Sequence, residues 1–160
     1  MPDIAKFAAA AIGFACGAAA AATWSVQRVG INLYQVAQPR LFVRTEDCDE
    51  RPQSGAAELQ KEGGSASLVF SEPAVRCKVR DILTPAKVDD GEFTVRLTLD
   101  QTQNWYQVTD SDLYLNTVGC FSRTFSEIAV LTMDRGGTGR IRFPDGRGCS
   151  VLRAYRRTTL

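Results

Sequence analysis

Residues 33–48 read LYQVAQPRLFVRTEDC, and residues 105–120 read WYQVTDSDLYLNTVGC. Laid over each other without a gap, they agree at six of sixteen positions: Tyr34/Tyr106, Gln35/Gln107, Val36/Val108, Leu41/Leu113, Thr45/Thr117 and Cys48/Cys120. About one agreement is expected between unrelated stretches of this length, and self-similarity at a fixed offset marks a repeated structural unit. Phe42/Tyr114 and Val43/Leu115 are conservative pairs in the same alignment.

The match extends outward with small gaps. Gly63-Gly64-Ser65 with Leu68 and Phe70 answers Gly136-Gly137-Thr138 with Ile141 and Phe143. Cys77-Lys78-Val79 answers Cys149-Ser150-Val151, and Trp24-Ser25-Val26-Gln27 resembles Phe93-Thr94-Val95-Arg96. An offset of about 72 residues is longer than a solenoid repeat, so it predicts a duplicated small domain. Copy one is expected over 24–88 and copy two over 91–160, joined by a linker over 84–91 that carries Pro85, Asp89, Asp90 and Gly91.

Each copy reads as β. In Phe93-Thr94-Val95-Arg96-Leu97-Thr98-Leu99 every second residue is apolar, the period of a half-buried strand. Arg140-Ile141-Arg142-Phe143 alternates too, as do Cys149, Val151, Arg153 and Tyr155 with their neighbours. Gly63-Gly64, Asp90-Gly91, Gly136-Gly137 and Pro144-Asp145-Gly146 punctuate these runs as turns. Five or six short strands per copy are expected, in antiparallel meanders. Residues 54–62 have some helical propensity, but their counterpart at 126–134 reads as strand, and strand is expected for both. The predicted class is all-β: two tandem homologous antiparallel units, as a pseudo-two-fold sandwich or small barrels, after an N-terminal apolar helix.

Cys48, Cys77, Cys120 and Cys149 are 29 residues apart in both copies. Pairing 48–77 with 120–149 keeps one disulfide inside each copy, and a β unit this small needs such a staple. Pairing 48–149 with 77–120 would exchange strands between copies. Pairing 48–120 with 77–149 would bring both bonds to the pseudo-symmetry axis. A metal site would show paired C-x-x-C spacing, which is absent, so neither metal nor cofactor is expected.

Residues 1–23 are expected to be a signal peptide or membrane-anchor helix. The stretch 7–24 has no charge, follows Lys6, and contains ten alanines among eighteen residues. Small residues at Ala20-Ala21-Ala22 suit a cleavage site, which would place the mature start near Thr23. Retained as a helix, the stretch is barely long enough to span a bilayer, and Phe7, Ile12 and Phe14 are its strongly lipophilic residues. Gly13 and Gly17 would then offer a smooth face to a partner helix. A lipoprotein signal ending at Cys16 fits less well.

Composition narrows the chemistry. The 160 residues include no histidine, which removes Ser-His-Asp and Cys-His catalysis, His-ligated metals and an imidazole pH switch. A formal charge of +1 creates no overall field for nucleic acid or membrane. Glu46, Asp47, Asp49 and Glu50 cluster around Cys48 in copy one alone, which reads as a solvated loop rather than a cation site. Arg135, Arg140, Arg142, Arg147, Arg153, Arg156 and Arg157 crowd the C-terminal stretch against one acid, Asp145. They form a candidate patch for an acidic protein, an anionic lipid or a glycan; nucleic acid is not expected, given little aromatic interleaving. Tyr34/Tyr106 and Gln35/Gln107 are expected to fill one structural role twice.

The expected protein is therefore exported to the periplasmic or extracellular face, not an enzyme, and active through a protein partner as an accessory component of an envelope or membrane complex. A soluble secreted binder or enzyme inhibitor is the alternative. An exported carboxylate-based hydrolase would need an acidic pair converging in one cleft.

Overall fold

The alternation in Val75-Arg76-Cys77-Lys78-Val79-Arg80 sends valines and cysteine inward and the charged residues to solvent, as the two-residue period of a strand requires. The same pattern runs through a computed structural model that describes residues 22–46, 48, 52–100, 104–120 and 125–158. Its strands are β1 (Thr23–Gly30), β2 (Leu33–Val36), β3 (Leu41–Glu46), β4 (Ser54–Glu62), β5 (Ser65–Phe70) and β6 (Val75–Pro85). They continue as β7 (Gly91–Leu99), β8 (Trp105–Val108), β9 (Leu113–Val118), β10 (Phe125–Met133), β11 (Gly139–Arg142) and β12 (Gly148–Thr158). The molecule is all-β, and the described residues contain no helix.

β1 to β6 close into a six-stranded antiparallel barrel in the order 1-2-3-6-5-4. β4 returns to lie beside β1, so the first four strands form a Greek key rather than the expected meander. β7 to β12 pair in the same cyclic order, each strand taking the partners of the strand six places earlier. Closure leaves neither ring an unpaired edge. β6 and β12 join the rings, with Tyr155 opposite Pro85, Arg156 opposite Thr84 and Arg157 opposite Leu83. Thr84 and Arg156 differ by the offset of 72, so this ladder is centred on a local two-fold relation between the rings.

The register corrects three expectations. Val26 stands opposite Val36 and Leu97 opposite Val108, so Val26 matches Leu97, and Trp24 matches Val95 rather than Phe93. The two-residue slip left every side chain on its expected face, which is why alternation could not reveal it. Thr84 and Pro85, assigned to the linker, belong to β6. Thr23, assigned to the leader, begins β1 opposite Glu58. Residues 1–21 of that leader, with Gly13, Cys16 and Gly17, lie outside the described residues. Among those described, no helix is long and apolar enough to cross a membrane.

Each ring has its own core. Tyr34, Leu68 and Phe70 fill the first, and Tyr106, Ile141 and Phe143 the second, with ring centroids 5.4 Å apart for Tyr34–Phe70 and 6.2 Å for Tyr106–Phe143. Cys48 bonds Cys77 and Cys120 bonds Cys149, at Cα separations of 4.5 and 4.8 Å. Both bonds tie the end of a third strand to the sixth strand of the same ring. Residues 54–62 are strand, as their counterpart implied.

The second core shows one compensated exchange. Where the first ring has exposed Lys61 and buried Ala66, the second has buried Met133 and Gly139. A Cβ on Gly139 would collide with the Thr132 carbonyl oxygen and lie 2.8 Å from Met133 Sδ. Gly139→Ala is therefore expected to cost about 1–3 kcal/mol through overpacking. A Cβ at Gly136 meets no atom within 4 Å, so Gly136→Ala is the control. Urea unfolding of both variants checks this, and equal midpoints would refute the packing account.

An inter-barrel seam as candidate functional site

The rings meet through side chains that point out of their own barrels. Leu33, Phe42 and Leu83 from the first pack with Trp105, Tyr114 and Tyr155 from the second in a third apolar cluster. These are three matched pairs at the offset of 72: Leu33/Trp105, Phe42/Tyr114 and Leu83/Tyr155. The contact is thus between like surfaces, as at a two-fold interface. The rings of Phe42, Trp105 and Tyr155 stand 4.8 to 5.1 Å apart in edge-on and tilted arrangements, each pair adding about 0.5–1.5 kcal/mol beyond its area.

One flank of this cluster is closed by a buried ion network. Arg44 on β3 is 4 % exposed, and Asp81 on β6 is 3 %. Arg44 donates from Nε and Nη2 to the two carboxylate oxygens of Asp81, at 2.6 and 2.7 Å. It also donates from Nη1 to Asp100 at 3.0 Å and from Nη2 to the Tyr114 hydroxyl at 2.9 Å, both in the second ring. Arg80 approaches Asp81 from outside at 3.5 Å. Burial alone would pull the Arg44 pKa down, but the bonds to Asp81 and Tyr114 and the charge of Asp81 outweigh it and hold the pKa above its usual value.

The other flank is open. It is a groove of about 490 Å³ with Phe42, Trp105 and Tyr155 in its floor. Val29, Val118 and Leu152 on its rims are 41, 50 and 53 % exposed. Gln35, Asn104, Asn116 and Arg153 are its main polar lining. Local backbone chemistry explains two of these positions. Leu152 is the extra residue of a β-bulge, because Val151 faces Thr117 and Arg153 already faces Asn116. The bulge re-aims both Leu152 and Arg153. Asn104 takes a left-handed conformation (φ 71°) and accepts from the Thr117 amide, as Asn32 (φ 52°) does from the Thr45 amide. Asparagine tolerates that conformation better than most residues. Burial raises the Tyr155 pKa, while the positive charges of Arg153 and Arg40 pull it back, so both cations reach the groove floor electrostatically.

Alternate strand positions and turns distribute the seven arginines of the candidate patch, with Arg140 beside Arg142 in one concavity and Arg135 beside Arg153 in another. Arg135 pairs with Asp90, Arg147 with Asp145 and Glu127, and Arg157 with Asp112. Arg140 and Arg142 face outward on β11, and Arg156 lies on the joining ladder. Arg153 alone of the seven lines the groove. In the acidic cluster Glu46 pairs with Lys78 at 2.6 Å, which lowers its pKa; Asp47, Asp49 and Glu50 lie outside the described residues. Among the described residues no group of potential metal ligands forms. Tyr34 and Tyr106 repeat one core role, but Gln35 and Gln107 do not: Gln35 lines the groove, while Gln107 donates to the Ser111 carbonyl.

Sequence reading missed Arg44, Asp81 and the groove. A signal for them existed: the matched positions where the copies differ in charge, Arg44/Asn116 and Asp81/Arg153. No family model matches this chain, and neither a curated protein nor a solved structure matches it.

Proposed function

We propose that this is an exported, non-catalytic protein of two homologous copies that docks a protein partner in the inter-barrel groove, as an accessory component of an envelope or membrane assembly. The groove carries this reading: three large apolar side chains stand exposed around an aromatic floor. Such a rimmed apolar concavity is characteristic of binding sites. The matching pair order, disulfides and seam residues of the rings support duplication. Two intramolecular disulfides suit an oxidising, extracellular or periplasmic location. The uncharged stretch before β1, residues 7–22, supplies the signal or anchor that takes the chain there. The non-catalytic part of the reading rests on the absence of histidine.

A photoactivatable phenylalanine analogue placed at Val118 or Leu152, in the organism's own cells, is expected to crosslink one protein. The same group at Arg140, on the outer wall of β11, should not capture that protein. No adduct at either groove position, or equal adducts at all three, would overturn the reading.

A further inference from the structure

The open groove and the buried ion network are the same place in the two halves of the seam. Arg44 corresponds to Asn116, Asp81 to Arg153, Tyr114 to Phe42 and Arg80 to Leu152, all at the offset of 72. In the β1/β7 register Gly30 faces Leu33 as Asp100 bonds Trp105, so Asp100 answers Gly30, and Val29 is the extra residue of a bulge in β1. Arg44, Asp81, Tyr114 and Arg80 of the closed flank therefore each have a counterpart lining the open one.

The exchanges change size and charge together. Arg44 spans the closed flank and is held by two carboxylates and a phenol. Asn116 is too short to span the other flank, so space remains. The acid positions are now Arg153 and Gly30, and the phenol is Phe42. Arg153 has no carboxylate partner among the described residues, and no acid among them lines the groove. What is missing from this flank is a negative charge and apolar volume. The barrels are closed, so an occupant is gripped by side chains rather than by an added strand.

We infer that the groove takes an extended segment of the partner that carries an aspartate or glutamate beside apolar side chains. Its carboxylate sits on Arg153 with Asn116 donating beside it, and its apolar side chains lie on Trp105 between Val29, Val118 and Leu152. This rests on reading the groove as the partner's docking site. A volume of about 490 Å³ falls within the range of about 300–1,000 Å³ usual for ligand sites.

The test uses the full disulfide-bonded chain and two hexapeptide pools displayed on phage. Both pools carry leucine, valine or phenylalanine around a central position that is Asp/Glu in one and Asn/Gln in the other. The acidic pool should be recovered about tenfold better, the factor that a 1.4 kcal/mol preference gives. Arg153→Gln should erase that preference and Arg156→Gln should keep it. Asn116→Arg with Arg153→Asp should rebuild the ion pair, fill the groove and abolish recovery, while unfolding at or above the parent midpoint. Equal recovery of the two pools, or an acid preference that survives Arg153→Gln, overturns the inference. So does Arg153-dependent binding of phosphatidylglycerol vesicles without peptide enrichment, which would assign the flank to lipid headgroups. If the pools fail while crosslinks at Val118 and Leu152 persist, the docking reading stands and its acidic chemistry falls. If both fail, the docking reading falls as well.

Discussion

Arg44→Ala is expected to lower the unfolding free energy by about 3–5 kcal/mol, the usual loss when one partner of a buried ion pair is removed. The Asp81 carboxyl would be left at 3 % exposure with Arg80, 3.5 Å away at the surface, as its ion-pair partner among the described residues and Arg157 acting at longer range. The Tyr114 hydroxyl would lose its donor as well. For a chain of this size such a loss lowers the melting temperature by about 6–20 °C. Thermal unfolding with disulfides intact measures it, and a loss below about 1 kcal/mol would contradict the buried network. Arg44→Met combined with Asp81→Leu should recover most of the loss, because no charge is then left orphaned. The penalty should also change little with salt, unlike that of the exposed Glu46–Lys78 pair. Arg44 reaches Asp100 and Tyr114 across the seam, so the variant should loosen the two rings from each other as well as destabilise β3 against β6.

Much of the fold was legible because strands announce themselves locally. The period of two in Phe93–Leu99, the glycine turns and the cysteine spacing of 29 identify strands, their faces and one disulfide per copy. The repeat supplied what a single copy could not: the strand assignment of 54–62 came from its counterpart. Closure of the rings was not legible, since β1–β4 and β3–β6 pairing depends on contacts between distant segments and leaves no local trace. Arg44 illustrates a second limit. A buried arginine in a run of buried residues looks, as a letter, like the outward arginines of β11. Its burial depends on Asp81, 37 positions away, and on a second ring that supplies Asp100 and Tyr114. The arginine-rich stretch shows the converse limit: strand alternation and turns, not nearness in sequence, decide which of its members share a surface, as Arg140 and Arg142 do. The groove required both lessons together. It lies between units, and its lining shows only when matched positions are compared for differences rather than for agreement.

Reduction of both disulfides should have the larger effect and unfold the chain. Each bond joins residues 29 apart, Cys48 to Cys77 and Cys120 to Cys149. Closing a loop of that length removes about 3–4 kcal/mol of chain entropy from the unfolded state. Two such bonds together match the 5–15 kcal/mol, roughly, that separates folded from unfolded domains. Their placement adds to this. Cys48 follows β3 and Cys77 lies in β6, next to the ladder in which Glu46 faces Lys78, so the bond pins the non-local pairing that closes the barrel. Cys120 and Cys149 pin β9 against β12 in the same way. Cys48→Ala with Cys77→Ala should therefore cost about 3–4 kcal/mol in denaturant unfolding, and the matching change in the second ring a similar amount. Combining all four should leave no cooperative transition, because each ring then has to close on a small core alone. Peptide mapping without reductant should return the two within-ring bonds. Cross-ring bonds, or a reduced chain that unfolds at the parent midpoint, would remove the ground for placing the protein in an oxidising compartment. A fold that stands without its disulfides gives no information about where it is made.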